Sequence, residues 1–124
     1  MLNSRFDTAQ LGYIDLLPQV TTWDSYNAEQ QGFAELYAQD FNVALNTSAI
    51  WTNPRSGGFL TSCMIHCMAG GSDYLTYLAP ARNGSGNLST ISNAYNNWLQ
   101  GNVTGVDAWW VVDPSLLPNQ TRCG

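Results

Sequence analysis

One apolar run, Phe59 to Ile65, constrains this chain more than any other segment. It is too short for a stable helix, and breakers fence it on both sides. Asn53-Pro54 and Gly57-Gly58 stand before it, and Gly70-Gly71 follows. An apolar run of that length without alternation reads as a buried strand. Two helices are predicted beside it in sequence. Between Asn27 and Leu45, the side chains Phe33, Leu36, Tyr37, Phe41, Ala44 and Leu45 recur on one helical face. Asp24 or Ser25 is the expected cap, and Glu29 and Glu35 lie toward the end that the helix dipole favours. From Thr90 to Gln100, capped by Ser89 or Thr90, the stripe Ile91, Ala94, Tyr95, Trp98 and Leu99 reads as a second core face.

The remaining segments fill in a small sheet. Residues 1–6 look like the end of a strand that turns at Asp7. Val106 to Val112 reads as strand or extended chain, and Tyr74 to Leu78 packs beneath the central run. Residues 12–24 read as loop, 82–88 as a flexible stretch, and Asp113-Pro114 onward as irregular coil. The predicted class is mixed α/β, one domain over residues 1–124, with too few strands for a complete sheet.

Composition removes several functions. Nine acidic residues face four basic ones, for a net charge of -5. The four basic residues, Arg5, Arg55, Arg82 and Arg122, are scattered singly, so no basic stripe exists for nucleic acid or an anionic membrane surface. No segment approaches the roughly 20 apolar residues of a membrane span. Charged residues make up only 10% of the chain, leaving Asn, Gln, Ser, Thr and Gly to supply the polar surface, a habit of secreted, carbohydrate-facing proteins. Sequons at Asn46, Asn83, Asn87, Asn102 and Asn119 point the same way. The first residues, by contrast, lack the basic and apolar regions of a signal peptide.

Chemistry concentrates in two places. The single histidine, His66, lies in Ser62-Cys63-Met64-Ile65-His66-Cys67, where a strand end could present it as a general base or simply pack it. With Cys63, Cys67 and Cys123 it also makes a Cys3His set, the right count for structural zinc. The crowding of Cys63, His66 and Cys67 does not resemble the paired spacing of a zinc ribbon or finger. Cys63 or Cys67 as a nucleophile is a further reading, and a structural role competes with it. The second place is Phe6-Asp7-Thr8-Ala9-Gln10-Leu11, an aspartate directly after a strand. It reads either as a turn or helix cap or as one member of a catalytic set. A strand-end Asp followed by a helix and a strand-end His is the order of the last two members of an α/β-hydrolase triad.

These residues resemble the pectin acetylesterase/Notum family of carboxylesterases. Asn3-Ser4-Arg5-Phe6-Asp7-Thr8-Ala9-Gln10-Leu11 matches the plant pattern N-S-x-[YF]-D-x-x-Q-[IL]. The run from Gly57 through Phe59 and Ser62-Cys63 to His66-Cys67 matches G-x-F-x-x-S-C-x-x-H-C. Gln31-Gly32-Phe33 resembles the family's Q-G-F helix, while Ala94 to Trp98 and Pro118 to Cys123 are looser matches. The resemblance implies the C-terminal portion of an α/β-hydrolase fold, the last strands and helices of a mostly parallel sheet, incomplete as a stand-alone domain.

It further implies catalytic roles for Asp7 and His66 in a Ser-His-Asp triad. Neither a cofactor nor a metal is implied. The parent protein would be secreted, with an acetylated, pectin-like polysaccharide as substrate. No serine here stands in G-x-S-x-G, so the nucleophile half is expected to be missing and the chain alone to be inactive. A Notum-like protein-lipid carboxylesterase is the alternative, and Cys67, where Notum carries glutamate, favours the polysaccharide. Outside the enzymes stand a zinc-stapled module and a glycan-binding module using Trp109 and Trp110. One of Cys63 and Cys67 is expected to pair with Cys123 or with a cysteine outside this chain.

Overall fold

Three short parallel strands form the frame. In this computed structural model the described residues are 2–13, 17–20, 22–66, 73–80, 87–101, 110–113 and 115. Strand β1 is Leu2–Ser4, followed by helix α1, Thr8–Tyr13, and a 3-10 turn at Trp23–Ser25. Helix α2 is Ala28–Thr47, α3 is Ala49–Thr52, and β2 is Gly58–Thr61. Then come α4, Asp73–Thr76; β3, Ala79–Pro80; β4, Leu88–Ser89; α5, Ile91–Gln100; and β5, Trp110–Val112. The sheet order is β1-β2-β5, with Asn3 beside Leu60 and Leu60 beside Val112. β3 and β4 form a separate antiparallel pair.

Strand alternation sorts β2 onto two faces. Phe59 and its neighbour Val111 pack with Tyr77, Ala79, and Ile91 and Ala94 of α5. Leu60 faces the other way, with Trp110, Leu45 of α2 and Trp51 of α3. The central strand is therefore covered on both sides, which is why its run carries no polar alternation. A third cluster, around Phe6, Leu11, Tyr26, Ala34, Ala38 and Met64, sits where the chain leaves β1 and β2. No helix among the described residues is long and apolar enough to cross a membrane.

Both long helices depart from the predicted faces. In α2 the buried side chains are Ala34, Ala38 and Leu45, while Phe33, Leu36 and Ala44 are exposed. The two alanines let the helix approach the Phe6–Leu11 segment closely, which a larger residue there would prevent. In α5 only Ile91 and Ala94 are buried; Tyr95, Trp98 and Leu99 lie outside the core because just one turn of this helix meets the sheet. The cap of α2 is Asn27, whose side chain exchanges hydrogen bonds with Gln30 in a capping box. Asp24 and Ser25, the expected caps, belong to the preceding 3-10 turn. Thr90 caps α5 as read, and Gly101 closes it at φ 61, where a left-handed residue ends the helix.

Helix α1 runs on to Tyr13, into the 12–24 segment that the sequence marks as loop. The central strand stops at Thr61 rather than Ile65, since Cys63 and Met64 already turn. The readings at residues 82–86, Val106 to Trp109 and Pro118 onward lie outside the described residues.

Candidate active site

Asp7 and His66 lie just past the carboxyl ends of neighbouring parallel strands, and 59 positions of sequence close to a hydrogen bond. His66 Nδ1 is 3.0 Å from Asp7 Oδ2 and 3.1 Å from Oδ1. The Asp7 side chain is 8% exposed and that of His66 is 54% exposed. One partner is thus held inside the protein and the other reaches out of it. With Nδ1 facing a carboxylate, the ring's N–H belongs there, which leaves the Nε2 lone pair to accept a proton from something else.

The Asp7 carboxylate is fixed by more than the histidine. Oδ1 accepts hydrogen bonds from the backbone N–H groups of Ala9, at 2.9 Å, and Gln10, at 3.1 Å. It therefore caps α1 while holding the imidazole. The helix cap and the partner of His66 are the same side chain. Gln10 is held in turn, since the Tyr37 hydroxyl of α2 donates to its Oε1. The D-x-x-Q spacing thus serves one local object, a capped turn anchored to α2.

Ser4 joins the two loops. Its hydroxyl donates to the carbonyl of Cys63 and accepts from the N–H of Phe6 at 3.1 Å. The Arg5 N–H also reaches the Thr61 carbonyl at 3.0 Å, carrying the β1–β2 pairing one step beyond the strands.

Beneath these loops lies a polar cluster that the sequence reading missed. Asp113, fully buried, follows β5 directly. Its carboxylate accepts from Ser62 Oγ at 2.8 Å, from the Ser115 N–H at 2.8 Å and from the Tyr77 hydroxyl. Burial alone would push the Asp113 carboxyl up, but these donors outweigh it and hold the group below its ordinary range. Burial and the bond to Asp113 push the Tyr77 phenol well up. Arg5 Nη1 donates to the backbone carbonyls of Asp113 and Ser115, and its Nε donates to Asn42 Oδ1 at 2.7 Å. Burial lowers the Arg5 guanidinium from its ordinary value, and the Asp113 charge opposes that. One signal for the cluster was visible. Asp113 follows the apolar run Ala108 to Val112, yet Asp113-Pro114 reads more simply as a chain break.

Two other readings meet obstacles. Cys63 is fully buried and disulfide-bonded, so its sulfur is no thiolate for zinc or for nucleophilic attack. Cys67 and Cys123 lie outside the described residues. Trp110 is fully buried with its ring 4.7 Å from that of Trp51, and it offers no face to a glycan. Trp109 lies outside the described residues.

A mixed α/β layer with polar side chains gathered past the carboxyl ends of its parallel strands defines the class: α/β proteins that keep their working residues at that edge. Comparison with protein families supplies the particular. The pectinacetylesterase family model matches residues 1–123, and the chain belongs to that family. Carboxylesterase-type hydrolysis and an acetylated polysaccharide substrate go with the family. No curated protein and no solved structure matched the chain.

Proposed function

We propose that this chain supplies the acid and base of a Ser-His-Asp triad that removes acetyl groups from a pectin-like, cell-wall-type polysaccharide. The observation that carries the reading is the Asp7–His66 hydrogen bond across adjacent strand ends, in a chain of the pectinacetylesterase family. His66 Nε2 takes the proton of the serine hydroxyl as its oxygen attacks the ester carbonyl. The tetrahedral intermediate then collapses, and the sugar oxygen leaves with that proton. Water attacks the acetyl-serine next, giving a proton to His66, and as the bond to the serine oxygen breaks His66 returns that proton to it and acetate departs. Asp7 holds the Nδ1–H tautomer and stabilises the transient imidazolium.

The chain order Asp, helix, His supports assignment to the last strands of an α/β-hydrolase sheet. The nucleophile of this proposal is a serine outside these 124 residues, because none within them stands in an elbow. Secretion is supported by the sequons and by the disulfide at Cys63.

The test is acetate release from acetylated pectin. The purified chain is assayed alone and after co-refolding with the elbow-bearing segment of another pectinacetylesterase family member. Alone it should give no turnover above buffer. The reassembled pair should turn over, and Asp7→Asn should lower kcat roughly 10⁴-fold. Turnover by the chain alone that His66→Ala abolishes would place the nucleophile within these residues and overturn the division of labour. A reassembled pair indifferent to Asp7→Asn would overturn the triad.

A further inference from the structure

We propose that Asp113 is a positioning residue for His66: its buried carboxylate holds Ser62 and Tyr77 and thereby fixes the segment that carries the imidazole to Asp7. The inference rests on the triad reading and adds a residue to it. A buried carboxylate is costly unless it is fully hydrogen-bonded, and here the bonds come from groups that converge on one segment. Ser62 Oγ donates to Asp113 Oδ2 at 2.8 Å, the Tyr77 hydroxyl donates to the same oxygen, and the Ser115 N–H occupies Oδ1. Arg5 meets the backbone carbonyl of Asp113. The strongest use of the carboxylate is therefore to hold hydroxyls in place.

Ser62 is the first residue after β2, and His66 follows within one tight turn, in which the Ile65 N–H donates to the Cys63 carbonyl at 3.0 Å. The turn is gripped from both flanks. Asp113, next to β5, holds Ser62, and Ser4 of β1 holds the carbonyl of Cys63. The Tyr77 ring also packs edge-on against Phe59 of β2, at 5.9 Å and 74°. His66 itself is half exposed and has Asp7 as its bonding partner. An exposed imidazole keeps one orientation only if the backbone that delivers it is immobile, and the Asp113 cluster supplies that immobility.

His66 is the only histidine, so its two ring nitrogens give an unambiguous 15N NMR signature in the whole chain. Spectra recorded where the imidazole is neutral report the ratio of Nδ1–H to Nε2–H tautomers. The unmodified chain should favour Nδ1–H. Asp113→Asn and Ser62→Ala should shift the ratio toward Nε2–H by roughly fivefold, the scale of one lost hydrogen bond. Ser62→Thr should restore it.

A role in stability alone would lower the melting temperature and leave the ratio of the folded protein unchanged. That result in folded Asp113→Asn and Ser62→Ala variants would overturn the inference. Should Asp113→Asn fail to fold, Ser62→Ala and Tyr77→Phe decide the matter, since each removes one hydroxyl and keeps the carboxylate. An unmodified chain without Nδ1–H excess would instead sink the Asp7–His66 pairing, and the inference with it.

Discussion

Ser4→Ala should be among the most damaging single-atom changes available in this chain. Ser4 is buried at 2% exposure, and its hydroxyl makes one bond to a loop 59 positions away, at the Cys63 carbonyl, and one local bond, from the Phe6 N–H. Removing it takes a donor from the Cys63 carbonyl and an acceptor from the Phe6 N–H. A net hydrogen bond is worth about 1 kcal/mol, and a buried backbone group that loses its partner costs about 1–3 kcal/mol. The Phe6 N–H is such a group, whereas the Cys63 carbonyl keeps the Ile65 N–H, so one orphaned donor and one lost net bond give a loss of about 2–3 kcal/mol. For a chain of this length that is a fall in Tm of roughly 10 °C, a large part of the stability of a typical domain. The assay is thermal and urea unfolding followed by circular dichroism, with Ser25→Ala as control. Ser25 is exposed and bonds only to another exposed hydroxyl, that of Thr22, so its loss should stay within about 0.5 kcal/mol. If Ser4→Ala matched that control with an unchanged m-value, the two loops would not be joined through this hydroxyl.

The buried acid should leave its mark on pH dependence. Because the folded state holds Asp113 below the ordinary 3.8, its stabilising contribution is complete above that value and disappears as pH falls through the lower folded value. Acid titration of the unfolding midpoint should steepen below about pH 4, and Asp113→Asn should flatten that limb. Tyr77 gives the opposite limb. Its phenol is raised above the ordinary 10.0, so its contribution is complete below that value and is lost as pH climbs further. Tyr77→Phe should blunt alkaline unfolding, followed by tyrosine absorbance against circular dichroism. Asn27→Ala removes the reciprocal cap of α2 and should cost about 1 kcal/mol, read as a lower urea midpoint at constant m. A change below about 0.3 kcal/mol would mean that packing of Ala34 and Ala38 alone sets the start of that helix.

The site was easier to read than the faces of the helices, and the reason is physical. Asp7 and His66 belong to short segments whose chemistry is local: a strand ends, a turn begins and a polar side chain is presented. Helix faces are settled by what packs on them. Periodicity weights large apolar residues, so Phe33 and Leu36 looked like core. The structure instead buries Ala34 and Ala38, because a short distance between α2 and the Phe6–Leu11 turn matters more there than apolar bulk. Trp98 looked like core for the same reason, and it lies exposed with its indole N–H donating to the Arg55 carbonyl at 3.0 Å. The Asp113 cluster had a signal at Asp113 alone, because it joins residues 5, 62, 77 and 113, which no local pattern connects.

The three parallel strands end in polar groups that do different work. The turn after β1 carries Asp7, which is buried and hydrogen-bonded to a histidine. β2 hands over to Ser62 and then His66, and β5 to Asp113. Parallel strands place all their carboxyl ends along one edge, so side chains remote in sequence meet there without further design. Two carboxylates lie at one edge, and the exposure of their partners distinguishes them. Asp7 acts on an imidazole that is 54% exposed, whereas Asp113 acts on hydroxyls of Ser62 and Tyr77 that are wholly inside. A substrate can reach the first pair and not the second. The outer carboxylate is therefore the one that fits the proposed assistance to proton transfer, and the proposed part of the inner one is to keep the strand ends, and with them the outer pair, in register.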